Sequence, residues 1–527
     1  MPKVLISDKM DKNAVDIFQN NGIEVDVKPG MNPEELAAVI GDYDGLAVRS
    51  STTATAAIIS AAKNMKVIGR AGIGVDNIDV SAATNAGIVV MNTPFGNSIT
   101  TAEHAIAMMF AVARQIPQAN VSTHAGKWEK SGFMGVELYG KTLGVIGCGN
   151  IGGIVASRGL GLQMNVIAFD PFLSDERAGE LGVEKVELDD LLQRSDFITL
   201  HVPKNDKTAG LINKDTIAQM KKGVRIINCA RGGIIVEADL KEALDSGHVA
   251  GAALDVFEKE PAKENTLFGH PAVVCTPHLG AATTEAQVNV AIQVAEQMSA
   301  YLLHGAVSNA LNMPSISAED APKLQPYMNL AEQLGSFAGQ ITGHAIKKIE
   351  IAYQGDVTRL NLKPLTAMAL ASLLKPLLDN VNMVNAPQVA KTRGITVTES
   401  RTEDCPDFHA AIIVTVTTEK GARSVTGTLF AGREPRIVNI EGVPVEAALA
   451  GHMLYLRNDD TPGLIGGVGT ILGAAEQNIA DFRLGRMVSE GSAVALISLD
   501  GPVSDDVMKK LEALPQIRKI RQLSFCS

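Results

Sequence analysis

Short apolar runs alternate with longer, one-sided apolar patterns through most of this chain. In the first hundred residues the runs KVLIS, VDVK, GLAVR and KVIGR are brief and β-branched, as buried strands are. Between them DKNAVDIFQNN and NPEELAAVI repeat their apolar positions every three or four residues and predict helices. Strand, helix, strand, helix implies a parallel sheet with helices on both faces. Thr100 to about Gln118 reads as one long apolar helix. A second alternating series follows: TLGVIG, NVIAFD, FITLHV, VRIINCA, VAGAALDVF and AVVCTPH, six strand candidates each ending in a turn signal. From Thr283 to about His304 the pattern is again that of one long helix.

The character then changes. Pro314 and Pro322 bracket a polar linker, and positions 317–450 carry a helix (LKPLTAMALASLLKPLL) and alternating strands such as AAIIVTVTT. The last seventy-odd residues run strand, helix, strand, strand, helix, strand, the order of a split βαβ, ferredoxin-like unit.

Composition narrows the picture. At 527 residues the chain exceeds one core and implies several domains. A formal charge of -11 argues against a phosphate-tracking nucleic-acid surface. The N-terminus enters a strand at once, with no signal pattern and no membrane-length apolar run, so no membrane association is expected. The five cysteines are scattered with no CxxC pair, which suits reduced thiols in a cytoplasmic protein and gives no metal site.

Gly147, Gly149 and Gly152 form G-x-G-x-x-G, with Asn150 and Ile151 inside the turn. Such a turn alone is a weak signal, and glycines also serve plain strand–helix packing. Its setting strengthens it: the strand TLGVI precedes it, a helix follows, and the next strand ends in Asp170 near the spacing of a ribose-binding acid. Gly147 permits the tight turn, Gly149 clears a path for pyrophosphate, and Gly152 lets the helix sit close on the sheet. Asp170 would repel a 2′-phosphate, so the expected cofactor is NAD rather than NADP. Loops at later strand ends should converge on the same crevice. FITLHV ends in Val202; NCARGG places Cys229, Ala230 and Arg231; ALDVFEKEP places Asp255, Glu258 and Glu260; TPHLGAAT places His278, Gly280 and Ala281.

Those segments, together with GRAGIGVDNID and NTPFGNSITTAEHA, resemble the D-2-hydroxyacid dehydrogenase family, in one order over nearly the whole chain. GKWEKSGFMGVELYGKTLGVIGCGNIG is similar to the long-form branch that acts on 3-phospho-D-glycerate. The resemblance implies two doubly wound parallel-sheet domains, a flavodoxin-like substrate domain (1–97 and 285–314) and a Rossmann NAD domain (98–284). An α+β intervening domain (317–450) and a ferredoxin-like βαββαβ ACT domain (452–527) follow. It implies NAD-dependent oxidation of 3-phospho-D-glycerate to 3-phosphooxypyruvate, which opens the phosphorylated route to L-serine. His278 would be the general base, Glu260 its partner ahead of Glu258, and Arg231 the anchor of the substrate carboxylate. Asp255 would orient the nicotinamide. Arg49, Ser50, Arg70, Gly72, Ile73, Gly74 and Asn97 would hold the substrate, the two arginines gripping its phosphate. Lys130 would reach in from a neighbouring subunit of a homodimer or homotetramer; family members often carry arginine there, and often a basic residue in place of Asn150.

In the ACT domain, Asn458, Asp460 and Asn478 match positions that bind L-serine in some members; a dimerisation module that binds nothing is the other reading. Two alternatives to the main function stand: a dehydrogenase for glyoxylate or D-lactate, and a non-catalytic NAD-sensing protein like the C-terminal-binding corepressors.

Overall fold

The N-terminal apolar runs become β1 (Lys3–Ile6), β2 (Glu24–Val27), β3 (Gly45–Val48) and β4 (Val67–Arg70), joined by β5 (Val89–Asn92), in the computed structural model of the chain. It describes residues 1–316, 320–378, 380–449, 451–487 and 491–525. Positions 317, 450 and 527, expected as domain limits, part of the polar linker, and Cys526 lie outside the described residues. The five strands are all parallel, in the order β2-β1-β3-β4-β5, which is the doubly wound flavodoxin-like order.

The second series gives β6 (Thr142–Ile146), β7 (Asn165–Phe169), β8 (Glu184–Lys185), β9 (Phe197–Leu200), β10 (Val224–Asn228), β11 (Val249–Leu254) and β12 (Val273–Cys275). Their order is β12-β11-β10-β9-β6-β7-β8, again parallel throughout. β8 is a seventh strand that the periodicity does not show, because two exposed charged residues carry no apolar signal. The chain winds outward in both directions from β6, so the carboxyl end of β6 is the switch point where ligands bind in such sheets. The glycine turn sits there.

The single helix expected over Thr100–Gln118 is two. Ser98–Arg114 ends where Gln115 turns left-handed (φ 52), and Ile116–His124 starts again with Pro117 in its first turn. Proline lacks the N–H that a continuous helix would need there. Helix Thr284–His304 is capped by Thr283 and buries Val290, Val294 and Met298 in one core with Val4, Ala47 and Val67 of the first sheet. The chain therefore leaves the second sheet and returns to the first. The two crossings lie side by side, with Thr100 Oγ1 and Thr283 Oγ1 3.4 Å apart.

Beyond the crossing, helix Ala321–Ile341 leads into a mixed sheet of β13 (Ile346–Gly355), β14 (Thr396–Thr402), β15 (Ala410–Thr418), β16 (Gly421–Phe430), β17 (Glu434–Ile440) and β18 (Val443–Ala447), with helix Leu362–Leu374 alongside. Its order is β14-β13-β15-β16-β17-β18, parallel only between β13 and β14. The last unit has β19 (His452–Asp459), β20 (Ile479–Met487), β21 (Ser492–Leu499) and β22 (Ile517–Ser524) in the antiparallel order β20-β21-β19-β22. Its helices Leu464–Ala474 and Asp505–Glu512 place it in the ferredoxin-like order expected.

Candidate active site

The first two sheets face each other across a cleft holding two adjoining cavities, of about 680 Å³ and 300 Å³. Arg70, Asn97, His278 and Ala281 line both. The larger also takes in Arg49, Ser50, Gly72 and Glu260. The smaller takes in Ile73, Gly74, Asn150, Ile151, Val202, Cys229, Ala230, Arg231 and Gly280. Loops that sequence alone could only list are thus gathered around one space.

The backbone at the switch point suits a dinucleotide. Gly147 has φ 89, and a Cβ there would lie 2.6 Å from the His201 carbonyl oxygen. A Cβ on Gly152 would lie 1.9 Å from the Gly147 oxygen, so only glycine lets helix Asn150–Gly161 start this close to its strand. Around Gly149 nothing lies within 4 Å of a would-be Cβ, and no side chain caps the helix. Free N–H groups face open space, which is the setting a pyrophosphate needs. Asp170 closes the turn, accepting from the Cys148 N–H and the Phe172 N–H at 2.8 Å each. These residues fit NAD.

At the opposite wall, His278 Nδ1 lies 2.7 Å from Glu260 Oε2. The other Glu260 oxygen accepts from the Phe257 N–H at 3.0 Å. Burial by itself would raise the Glu260 carboxyl, but the bonds from His278 and Phe257 outweigh it and hold it low. The Glu260 contact in turn raises His278 above its ordinary value, against burial. With a proton on Nδ1 facing the carboxylate, Nε2 is the free position. The carboxylate of Glu258, the competing acid, instead accepts from the Glu237 N–H at 3.4 Å. His278 itself has φ 56, an uncommon backbone for a non-glycine residue.

Asp255, expected beside the nicotinamide, explains how that backbone is held. Its side chain is fully buried and lines neither cavity. One oxygen accepts from Thr276 Oγ1 at 2.6 Å and the Leu279 N–H at 2.7 Å, and the other from the Gly280 N–H at 2.8 Å. His104 Nε2 lies 3.2 Å away. Asp255 therefore fastens the loop that presents His278.

The first lobe supplies cation. Burial, with Arg231 and Arg49 nearby, pushes the Arg70 guanidinium down to about 10, still charged at neutral pH. Arg70 Nε and Asn97 Oδ1 are buried with no hydrogen-bond partner. Two orphaned polar atoms on one cavity wall call for a polar ligand. Lys130 sits on an exposed 3₁₀ turn, Lys130–Gly132, and lines neither cavity of its own chain. Asp76, His201 and Gln287 line the cleft without having been singled out. Asp76 stood in the quoted GIGVDNID run, so a charge at a strand-end loop could have flagged it; Gln287 had no signal beyond its helix.

In the C-terminal unit, Asn458 is buried with Oδ1 unpartnered, and Asp460 pairs with Arg486 at 2.8 Å. Asn478 lies elsewhere, bonded to Asp500 at 2.9 Å. β21 pairs Ala493 with Asn458 at one end and Leu499 with Ile479 at the other, so one chain does not bring the three together.

Residues 106–280 match the model for the NAD-binding domain of D-isomer-specific 2-hydroxyacid dehydrogenases, and residues 323–441 that for the D-3-phosphoglycerate dehydrogenase intervening domain. The D-3-phosphoglycerate dehydrogenase of Synechocystis sp. is 44% identical over 98% of this chain and 94% of its own. That of Bacillus subtilis is 42% identical over 100% of both. The chain belongs to the D-3-phosphoglycerate dehydrogenase family. It is an NAD-dependent oxidoreductase of the 2-hydroxyacid dehydrogenase type. Its two parallel-sheet lobes are shared with shorter enzymes. A glyoxylate reductase from Paecilomyes thermophila (31% identity, TM-score 0.55) covers 59% of this chain and 98% of its own. The D-lactate dehydrogenase of Escherichia coli (30% identity, TM-score 0.53) covers 59% and 100%. The family's intervening domain lies beyond that shared part. Among the described residues no helix is long and apolar enough to cross a membrane, and no group of three or more His, Cys, Asp or Glu is placed to hold a metal.

Proposed function

We propose that this protein oxidises 3-phospho-D-glycerate to 3-phosphooxypyruvate with NAD, the entry into phosphorylated L-serine synthesis. One observation carries the reading: the His278–Glu260 pair, 2.7 Å apart, shares a cavity wall with Arg49 and Arg70 of the opposing lobe. NAD supplies the hydride acceptor. Arg231 holds the substrate carboxylate and polarises the C2 oxygen. His278 Nε2 takes the C2 hydroxyl proton as the hydride leaves C2, and Glu260 steadies the imidazolium that forms. Arg49 and Arg70 hold the phosphate; Ser50, Asn97 and the backbone of Gly72, Ile73 and Gly74 complete the substrate wall. Charge at both ends of the substrate matches cation on both lobes, which favours it over glyoxylate or D-lactate.

The division into a discontinuous substrate domain, an NAD domain, an intervening domain and an ACT domain accords with the sheets and with the returning helix. Lobe closure over the hinges near Thr100 and Thr283 would exclude water. Lys130, exposed on its own chain, would serve a neighbouring subunit's cleft in a homodimer or homotetramer. The unpartnered Asn458 Oδ1 favours a polar effector such as L-serine. Asn478, at the far end of the sheet, would then act on a partner's ligand. A cytoplasmic setting suits the scattered thiols, of which Cys148, Cys229, Cys275 and Cys405 are free.

The test is NADH formation from 3-phosphoglycerate and NAD at mildly alkaline pH, with the product trapped by hydrazine and D-glycerate as control. Turnover of the phosphorylated acid alone supports the reading, and inhibition on adding L-serine supports the effector. Reduction of glyoxylate or pyruvate without oxidation of 3-phosphoglycerate overturns the substrate assignment.

A further inference from the structure

Arg231, on the loop after β10, is held by a residue of the other lobe. Its Nε donates to Asp76 Oδ2 at 2.9 Å, while its Nη1 turns back to the Ala230 carbonyl oxygen at 2.6 Å. Asp76 belongs to the loop after β4, so this ion pair crosses the cleft. Gly74 makes room for it: a Cβ there would lie 1.8 Å from Arg231 Nη2 and 3.0 Å from Asp76 Oδ2. The guanidinium therefore brings its Nη2 end close to bare backbone, with Nε held by Asp76. Among the described residues no protein acceptor bonds Nη2.

Stability is a poor reason for this contact. Asp76 is 71% exposed, and exposed ion pairs contribute little to folding. Orientation is a better one. Arg231 shares its cavity with Arg70, a like charge that opposes it before any anion arrives. Asp76 is the carboxylate that lines this side of the cleft. A planar fork must present its free edge at one angle to bind a carboxylate with two bonds.

We propose that Asp76 is the positioning residue for Arg231: it fixes the guanidinium from across the cleft, so that the carboxylate anchor is aligned only when the lobes are together. This rests on the reading that Arg231 anchors the substrate carboxylate. Asp76 touches neither the reacting atoms nor the proton path, and it acts through Arg231 alone.

The experiment is a double-mutant cycle in the full-length enzyme with NAD and 3-phosphoglycerate: Asp76→Ala, Arg231→Lys and both together, with Asp76→Glu as the conservative variant. Asp76→Ala should cut kcat/KM for 3-phosphoglycerate by roughly 10- to 100-fold. NAD affinity and the thermal midpoint should stay at wild-type values, and Asp76→Glu should recover part of the loss. In the Arg231→Lys background the same Asp76→Ala change should cost less than about twofold, because the group it positions is gone. Wild-type kinetics in Asp76→Ala, or losses that multiply in the double variant, overturn the proposal. If Arg231→Lys itself retains full activity, the anchor reading falls instead, and the two failures are told apart.

Discussion

His278 and Glu260 set the pH behaviour of the cleft. The carboxylate raises the imidazole above its ordinary 6.5, so the neutral base needed for oxidation is lost as pH falls through that raised value. The same shift has a stability sign. A raised histidine contributes stability that is fully present below its unfolded value, near 6.5, and is lost as pH rises through the folded one. Replacing Glu260 by Gln keeps an acceptor but removes the charge. The acid limb of kcat/KM for oxidation should then move to lower pH, and the plateau should fall by about 10- to 100-fold. A pH profile of the E260Q enzyme between pH 5 and 10 checks both; an unmoved limb would separate His278 from Glu260. From the residues alone the partner of His278 was a choice between Glu258 and Glu260, and the family resemblance pointed to Glu260. In the structure Glu260 Oε2 reaches His278, while the Glu258 carboxylate faces the Glu237 N–H. Asp255, expected beside the nicotinamide, is buried and accepts three hydrogen bonds from the loop that carries His278. An acid at a strand end looks like a ligand contact until its burial and its three donors are known.

Strand, turn and helix at β6 form the element on which NAD binding depends. Helix Asn150–Gly161 can start at its strand only because residue 152 has no side chain. Gly152→Ala would press a methyl into the Gly147 carbonyl, and backbone has little freedom to yield. The expected cost is about 1–3 kcal/mol of stability, with NAD affinity weakened by at least about tenfold as the turn shifts. Fluorescence titration with NADH and a melting curve with and without cofactor read the two effects. If NAD binding survives at full strength, the turn is not the pyrophosphate seat. The periodicity identified most strands of both parallel sheets, because buried strands are continuous apolar runs, but the buried run Val89–Asn92 was not among those singled out. It did not show β8, too short and too polar, or the break at Gln115, where the residues on either side remain apolar.

Four sheets make one connected body. Helix Thr284–His304 binds the second lobe's exit to the first sheet, and Asn382 of the third unit donates to the Gly87 carbonyl oxygen of the first at 2.8 Å. The third and fourth units share a core in which Phe337 meets Tyr455 edge to face, centroids 5.7 Å apart. Tyr455 is 1% exposed. Tyr455→Ala should cost about 3–5 kcal/mol by cavity formation. The C-terminal unit should loosen first, seen as a lower melting transition and faster amide exchange in β19–β22, while NAD still binds. A uniform loss across all four sheets would mean that the units unfold as one.

The chain's own pattern determined most strands of the two parallel sheets, the element order of the last unit, the glycine turn, the acid that follows it, and the set of strand-end loops that carry Arg231, Glu260 and His278. Those are local properties: period, turn chemistry and short spacings written in adjacent residues. Tertiary structure alone decided that the Asp255 side chain is buried beneath the loop, that Asp76 reaches Arg231 from the other lobe, and that Asn478 stands apart from Asn458. Each of these depends on side chains far apart in sequence, where direction and burial are set by how whole lobes pack and not by any spacing along the chain.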